Sequence, residues 1–167
     1  ETFFRTCGLS FDAILSRAVM EHLYDPLAAL DDMAACLAPG GIMIHRIDLR
    51  DHGMFAGHHP LTLLTLGDGL HRRMTRGAGR PNRVLINAYR DWLTRSGLSG
   101  KLTVSRLAGI AEEIEPAPWA ALDKSATSRA VACVRAIRPR LTAQFKAMAD
   151  EDLAVAGLVL VARKNNA

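Results

Sequence analysis

Residues 11–16, Phe-Asp-Ala-Ile-Leu-Ser, are a short apolar run, too brief for a helix, and predict a strand covered on both faces. A helix should follow. Asp25 can cap it, Pro26 suits its first turn, and Leu27, Leu30, Met33, Ala34 and Leu37 recur at helical spacing. Pro39-Gly40-Gly41 is expected to stop that helix. Ile42 to Leu49 reads as a second strand, apolar at first and then carrying His45, Arg46 and Asp48 toward its carboxyl end. Strand, helix and strand in so few residues imply a parallel crossover of right hand.

From Arg50 to Ile86 the periodicity is weak, although Pro60 to Leu66 can make a helical turn or two and Gly77-Ala78-Gly79 is a flexible link. A connection this long in a compact domain is expected to act as a lid, and we assign 51–86 to a lid-like insertion. Asn87 should then cap a short helix with Tyr89, Trp92 and Leu93 on one face and Gly97 as its stop. Leu102 to Leu107 alternates as a strand does. Residues 123–149 read as a helical insertion before the last strand. Its stripe of Val131, Val134, Ile137, Leu141, Phe145 and Met148 faces the core, and Pro139 should kink or split it. Ala154 to Ala162, β-branched at Val155, Val159 and Val161, is the last strand. The order β-α-β-lid-α-β-α-β defines an α/β fold.

Composition adds limits. The chain has 167 residues, enough for one core, with 49% apolar and 23% charged residues, the proportions of a soluble globular protein. No apolar run is long enough to cross a bilayer, and no secretory leader is recognised, so no membrane partner is expected. Cys7, Cys36 and Cys133 are odd in number and far apart, which fits a reducing, cytoplasmic compartment rather than a disulfide framework. The first residue is Glu1 and not Met, so we expect that sequence precedes it. The net charge is +4 and unevenly spread: Arg72, Arg73, Arg76, Arg80, Arg83, Arg90 and Arg95 stand against Asp91 alone between His71 and Arg95. Such a surface can attract phosphate or carboxylate groups. Its few interleaved aromatics and lack of a known motif disfavour nucleic acid. Asp48, Asp51, His52, His58 and His59 are ligand types a divalent metal accepts, but their spacing matches no zinc pattern and no metal site is assigned.

Taken in order, SFDAILSRAVMEHLYDP, LAPGG and the strand ending HRIDLRDHG resemble the second half of a class I S-adenosylmethionine-dependent methyltransferase of the small-molecule type. NRVLINAYRDWLTRSGL and LAVAGLVLVARK are similar to that family's fifth helix region and its final strand. The resemblance implies a partial Rossmann-like methyltransferase sheet. Residues 11–16, 42–49, 102–107 and 154–162 would be strands 4, 5, 6 and 7 of the family, lying side by side as 4-5-7-6 with flanking helices and a lid insertion. The family's glycine-rich turn and the acidic residue after its second strand have no counterpart here, so residues 1–167 are expected to be the carboxyl-terminal portion of a single methyltransferase domain, a fragment.

The implied cofactor is S-adenosylmethionine, its methionine part bordered by Ser16, Arg17 and Ala18, largely through backbone groups. Ligands in open α/β sheets bind just outside the carboxyl ends of the strands, which is where the apolar run at 11–16 would surface. His22 is the implied catalytic base, because its ordinary pKa lies near neutrality. Glu21 beside it is either a helix cap or a ligand contact. Arg46, Asp48, Asp51 and His52, which follow the second strand, are the implied substrate contacts. Asn82-Arg83 resembles a pair that closes the lid, with Arg83 free to meet an anionic substrate or to anchor the lid to an acid. Phe3 and Phe4 lie near the family's adenine site or belong to the core. The implied function is methyl transfer to a small-molecule acceptor. The alternative is a non-catalytic methyltransferase-like module that binds a protein partner or dimerises. Its partner would be the missing amino-terminal half or a second copy, joined along the edge of 11–16, where unpaired backbone groups invite another strand.

Overall fold

The computed structural model describes residues 3–77, 79 and 81–166; Ala78 of the expected link and Arg80 of the basic stretch lie outside them. Four strands, β1 (Phe11–Arg17), β2 (Leu37–Asp48), β3 (Ser99–Leu107) and β4 (Val155–Arg163), form a sheet in the order β1-β2-β4-β3. β1 and β2 are parallel, and β4 runs antiparallel to β2 and to β3. The carboxyl ends of β1, β2 and β3 therefore share one edge of the sheet with the amino end of β4. This is the mixed α/β arrangement expected from the sequence, with β1 to β4 in the places of strands 4, 5, 6 and 7.

The described residues also form the α-helices α1 (Phe3–Thr6), α2 (Pro26–Ala35), α3 (Asp68–Thr75), α4 (Ile86–Arg95), α5 (Lys124–Ile137), α6 (Ala143–Lys146) and α7 (Asp150–Ala154). The unbroken apolar run of β4 marks the centre, and Leu158, Leu160 and Ala162 on it are fully buried. Leu30 of α2, Met43 of β2, Tyr89 and Trp92 of α4 and Val134 of α5 close around them. Trp92 satisfies its indole N–H by donating to Asp31 Oδ1 at 2.6 Å. On α5 and beyond, Val134, Ile137, Leu141 and Phe145 of the predicted stripe are buried, and Val131 and Met148 pack at its margin. Phe4 packs against Phe11 edge-on at 5.8 Å, whereas Phe3 is exposed.

Three local expectations are corrected, and the split at Pro139 stands as expected. Pro39-Gly40-Gly41 does not stop α2, which ends at Ala35. Instead it forms an excursion inside β2, where Phe11 pairs with Leu37 and Ala13 with Ile42. A Cβ on Gly41 would lie 2.8 Å from Ala38 O and 2.9 Å from Phe11 O, so glycine is what lets the strands approach there. A residue far away in sequence, Lys164, meets the end of α2: its Nζ lies 3.5 Å from Ala34 O and Ala35 O and donates to Leu37 O, at the start of β2, at 2.8 Å. Asn87 lies inside α4 and makes no side-chain cap. Residues 68–75 form α3, an exposed helix whose Asp-Gly-Leu-His-Arg-Arg pattern carries no apolar stripe to announce it. Pro139 splits the helical insertion: α5 gives way to a 3₁₀ turn at Arg138–Arg140.

Candidate functional site

β1 surfaces where its neighbour still runs. Ala18 takes a left-handed backbone (φ 55°) and its N–H donates to Arg46 O at 3.0 Å, which turns the chain out of the sheet. The Ser16 hydroxyl shares a 2.7 Å hydrogen bond with Nδ1 of His45. His45 is fully buried, and burial pushes its pKa down to about 4, so the pair is neutral. Arg17 and Ala18 line a groove of about 210 Å³ with Arg46, Asp48, Arg50 and Glu113. Arg46 and Arg106 both pair with Glu113 across that groove. Asp48 is held by Arg50, whose Nε lies 2.9 Å from Oδ1. Burial pushes the Asp48 carboxyl up, but the bonds from Arg50 and the His52 charge outweigh it and hold it below the usual range.

Beside the groove, a 3₁₀ turn at Met20–His22 carries the second part of the site. Glu21 is 1% exposed; its Oε1 accepts the Asp48 N–H at 3.3 Å, and Oε2 has no partner among the described residues. Burial pushes its carboxyl up, against the lowering pull of its hydrogen bonds and of His22 and His52. His52, itself left-handed at φ 51°, puts Nε2 3.8 Å from Glu21 Oε1 and 4.0 Å from Asp48 Oδ2. The rings of His22 and His52 meet edge to face at 4.8 Å, and Nδ1 of His22 is buried without a partner. Glu21, His22 and His52 each bring a ligand atom within 4.8 Å of the others, a donor set that a divalent cation accepts.

Further along the 51–86 segment, Asn82 is bonded to this turn. Asn82 N–H donates to Glu21 O at 2.6 Å, and its Nδ2 donates to Met20 O at 3.0 Å and Leu23 O at 2.9 Å. Its Oδ1 accepts from Val84 N–H at 3.0 Å. Arg83 is turned inward, its side chain 8% exposed. It donates to Leu66 O and to Asp68 Oδ1, both at 2.6 Å, and stacks over Phe145 at 5.3 Å. Between this segment and the turn lies a cavity of about 870 Å³ that His22, Tyr24, His71, Arg72, Arg76 and Asn82 help to line.

The expected residues fall into three groups. His22, His52 and Asp48 come together around Glu21, and Arg46 joins Ser16, Arg17 and Ala18 at the end of β1. Asp51 stands apart from them in its bonding: its carboxylate accepts from Gly53 and Phe55 N–H at 3.0 and 3.1 Å and shapes its own loop. Arg83 is paired with Asp68, an acid of the same 51–86 segment. Glu21 is not the cap of α2; Asp25 is, accepting from Ala28 N–H at 2.9 Å. Of the other histidines once weighed as ligands, His58 bonds to Ala56 O and His59 to Cys133 O. Asn82 as a four-bond clasp was not legible, since its partners lie about sixty positions away. Among the described residues no helix is long and apolar enough to cross a membrane.

Comparison with known proteins gives a family match and several partial likenesses. A family described as a methyltransferase domain matches residues 5–113. The ubiquinone biosynthesis O-methyltransferase of Parvibaculum lavamentivorans is 53% identical over 36 residues, 22% of this chain and 14% of that protein. A sarcosine dimethylglycine methyltransferase candidate from Galdieria sulphuraria is 15% identical with a TM-score of 0.47, over 99% of this chain and 58% of the other. A Haloferax volcanii methyltransferase candidate, solved with its Trm112 activator, is 16% identical with a TM-score of 0.44, over 98% of this chain and 59% of the other. The chain thus spans less than two thirds of the length of each. With its family match over 5–113, the chain belongs to the methyltransferase domain family, the class I S-adenosylmethionine-dependent methyltransferases.

Proposed function

We propose that these residues form the acceptor-side wall of an S-adenosylmethionine-dependent methyl-transfer site acting on a small molecule, with His22 as the base. The reading is carried by one observation: a histidine with a partnerless buried Nδ1 lines the large cavity, supported by a buried carboxylate, next to the surfacing end of β1. The residues present fit one side of the cofactor. Arg17 and Ala18 are exposed at the strand end, with the Ser16 side chain drawn away toward His45. The bound cofactor supplies a methyl on a sulfonium that leaves as a neutral thioether, so the protein's task is mainly alignment.

His22 takes the acceptor's proton as the new bond forms to the methyl carbon. Glu21 favours the resulting imidazolium, because a buried carboxylate beside it is worth far more than one in water. His52 and the Asp48 N–H steady that carboxylate at Oε1. Asn82 fixes the turn that carries both residues. β1 pairs along one edge only, and Leu15 on it is 69% exposed. We infer that a further strand of the same protein, bearing the glycine-rich turn, adds there. The same free edge supports the second reading, a partner-binding module; a dimer of this chain along β1 with no cofactor affinity would favour it.

The test is steady-state turnover of the longest natural polypeptide on a panel of small phenols and amines, with S-adenosylhomocysteine formation as readout. His22→Gln is expected to lower kcat by about 10²–10⁴-fold and leave cofactor affinity intact. Unchanged kcat would remove His22 from the mechanism.

A further inference from the structure

Helix α3 carries Asp68, Arg72 and Arg73, with Arg76 just past its end, and the natural partner of Arg72 is Asp68, one helical turn back. Asp68 is engaged elsewhere: it accepts from Arg83 at 2.6 Å and from Gln144 Nε2 at 3.3 Å. Arg72 and Arg76 are exposed and four residues apart, the Arg76 N–H donating to Arg72 O at 3.1 Å, and neither guanidinium has an ion pair or hydrogen bond among the described residues. Like charges at this spacing oppose each other, so nothing in the fold accounts for keeping both there. Both line the 870 Å³ cavity that also receives His22. The other groups facing it do not cancel them: Arg83 is matched by Asp68, and burial, with Arg83 adding to it, keeps His71 below its ordinary pKa. Among the described residues, the cavity wall therefore has two unmatched guanidinium groups, and its one acid, Asp68, is engaged by Arg83 and Gln144.

We infer that Arg72 and Arg76 bind an anionic group, a phosphate or carboxylate, on the small-molecule acceptor, holding its reacting atom toward His22. This rests on the methyl-transfer reading for the acceptor's identity, whereas the anion site itself stands on the arginines and the cavity alone. Guanidinium forks meet such groups bidentately, and two of them match a doubly charged oxyanion. The cavity is large enough for a ring or short chain beyond the anion, which favours a small molecule over a membrane surface.

Inorganic phosphate is the probe, titrated by calorimetry into the full-length protein without any methyl donor at low ionic strength. Arg72→Ala and Arg76→Ala should each raise the apparent Kd about tenfold. Arg129→Ala, an exposed arginine on α5, should leave it unchanged. Absence of phosphate binding, or equal loss in all three variants, would overturn the assignment. So would sedimentation with phosphatidylglycerol vesicles that depends on both arginines and that phosphate does not reverse. S-adenosylmethionine titrated separately reports on the methyl-transfer reading, so the two can fail independently.

Discussion

Asn82 offers the sharpest handle on how the site is held. Its side chain makes three hydrogen bonds, from Nδ2 to Met20 O and Leu23 O and to Oδ1 from Val84 N–H, all of 2.9–3.0 Å. Each is worth about 1 kcal/mol net, and carbonyls left partly buried without a donor cost somewhat more. Asn82→Ala should therefore destabilise the fold by about 2–4 kcal/mol. For a chain of this size that is a fall in Tm of about 5–15 °C, readable by calorimetry or by urea unfolding. Asn82→Asp separates the contributions. It keeps the acceptor for Val84 but turns two donors into a carboxylate facing two carbonyls, and should be at least as damaging as alanine. An aspartate variant near wild type, with alanine costing under about 0.5 kcal/mol, would refute the clasp.

Other outcomes follow from the same geometry. His45 holds its proton less tightly folded (about 4) than unfolded (about 6.5), so the unfolded chain gains the extra proton and stability falls as pH drops through that window. The loss should reach about 2 kcal/mol at pH 5, and His45→Gln should flatten that part of the urea-unfolding profile; an unchanged slope would contradict it. Glu21 acts with opposite sign, its raised pKa favouring the fold as it takes up a proton above the ordinary carboxyl range. Trp92→Phe should cost about 1–3 kcal/mol in urea through the lost bond to Asp31, and Asp31→Ala should abolish most of the difference between Trp and Phe. Leu158→Ala, at a fully buried position on the central strand, should cost about 2–5 kcal/mol.

What the sequence disclosed depended on how local its causes were. The cap of α2 at Asp25 and the split at Pro139 act within a turn of themselves, and both stood as expected. The strands were legible because β4 is apolar on both faces and β2 alternates, placing Met43, His45 and Ile47 inside. The misread of Pro39-Gly40-Gly41 has a physical reason: the residues that break a helix also make a strand excursion, and the pairing with Phe11 and Ala13 that holds it lies more than twenty positions away. At the site, His22, Asp48 and His52 were found by chemical type. The buried state of Glu21 was not, since the residues that meet it, Asp48, His52 and Asn82, lie 27 or more positions away. The duties of Asp51 and Arg83 likewise depend on loop geometry that no spacing encodes.

The account depends most on the end of β1 and the turn after it being one wall of a methyl-donor site. Calorimetric titration of S-adenosylmethionine into the longest natural polypeptide bearing these residues, alongside residues 1–167 alone, tests this directly. The longer polypeptide is predicted to bind at micromolar concentration and the 167 residues weakly or not at all. Lack of binding by the longer polypeptide, or low-micromolar binding by the 167 residues alone, would contradict it.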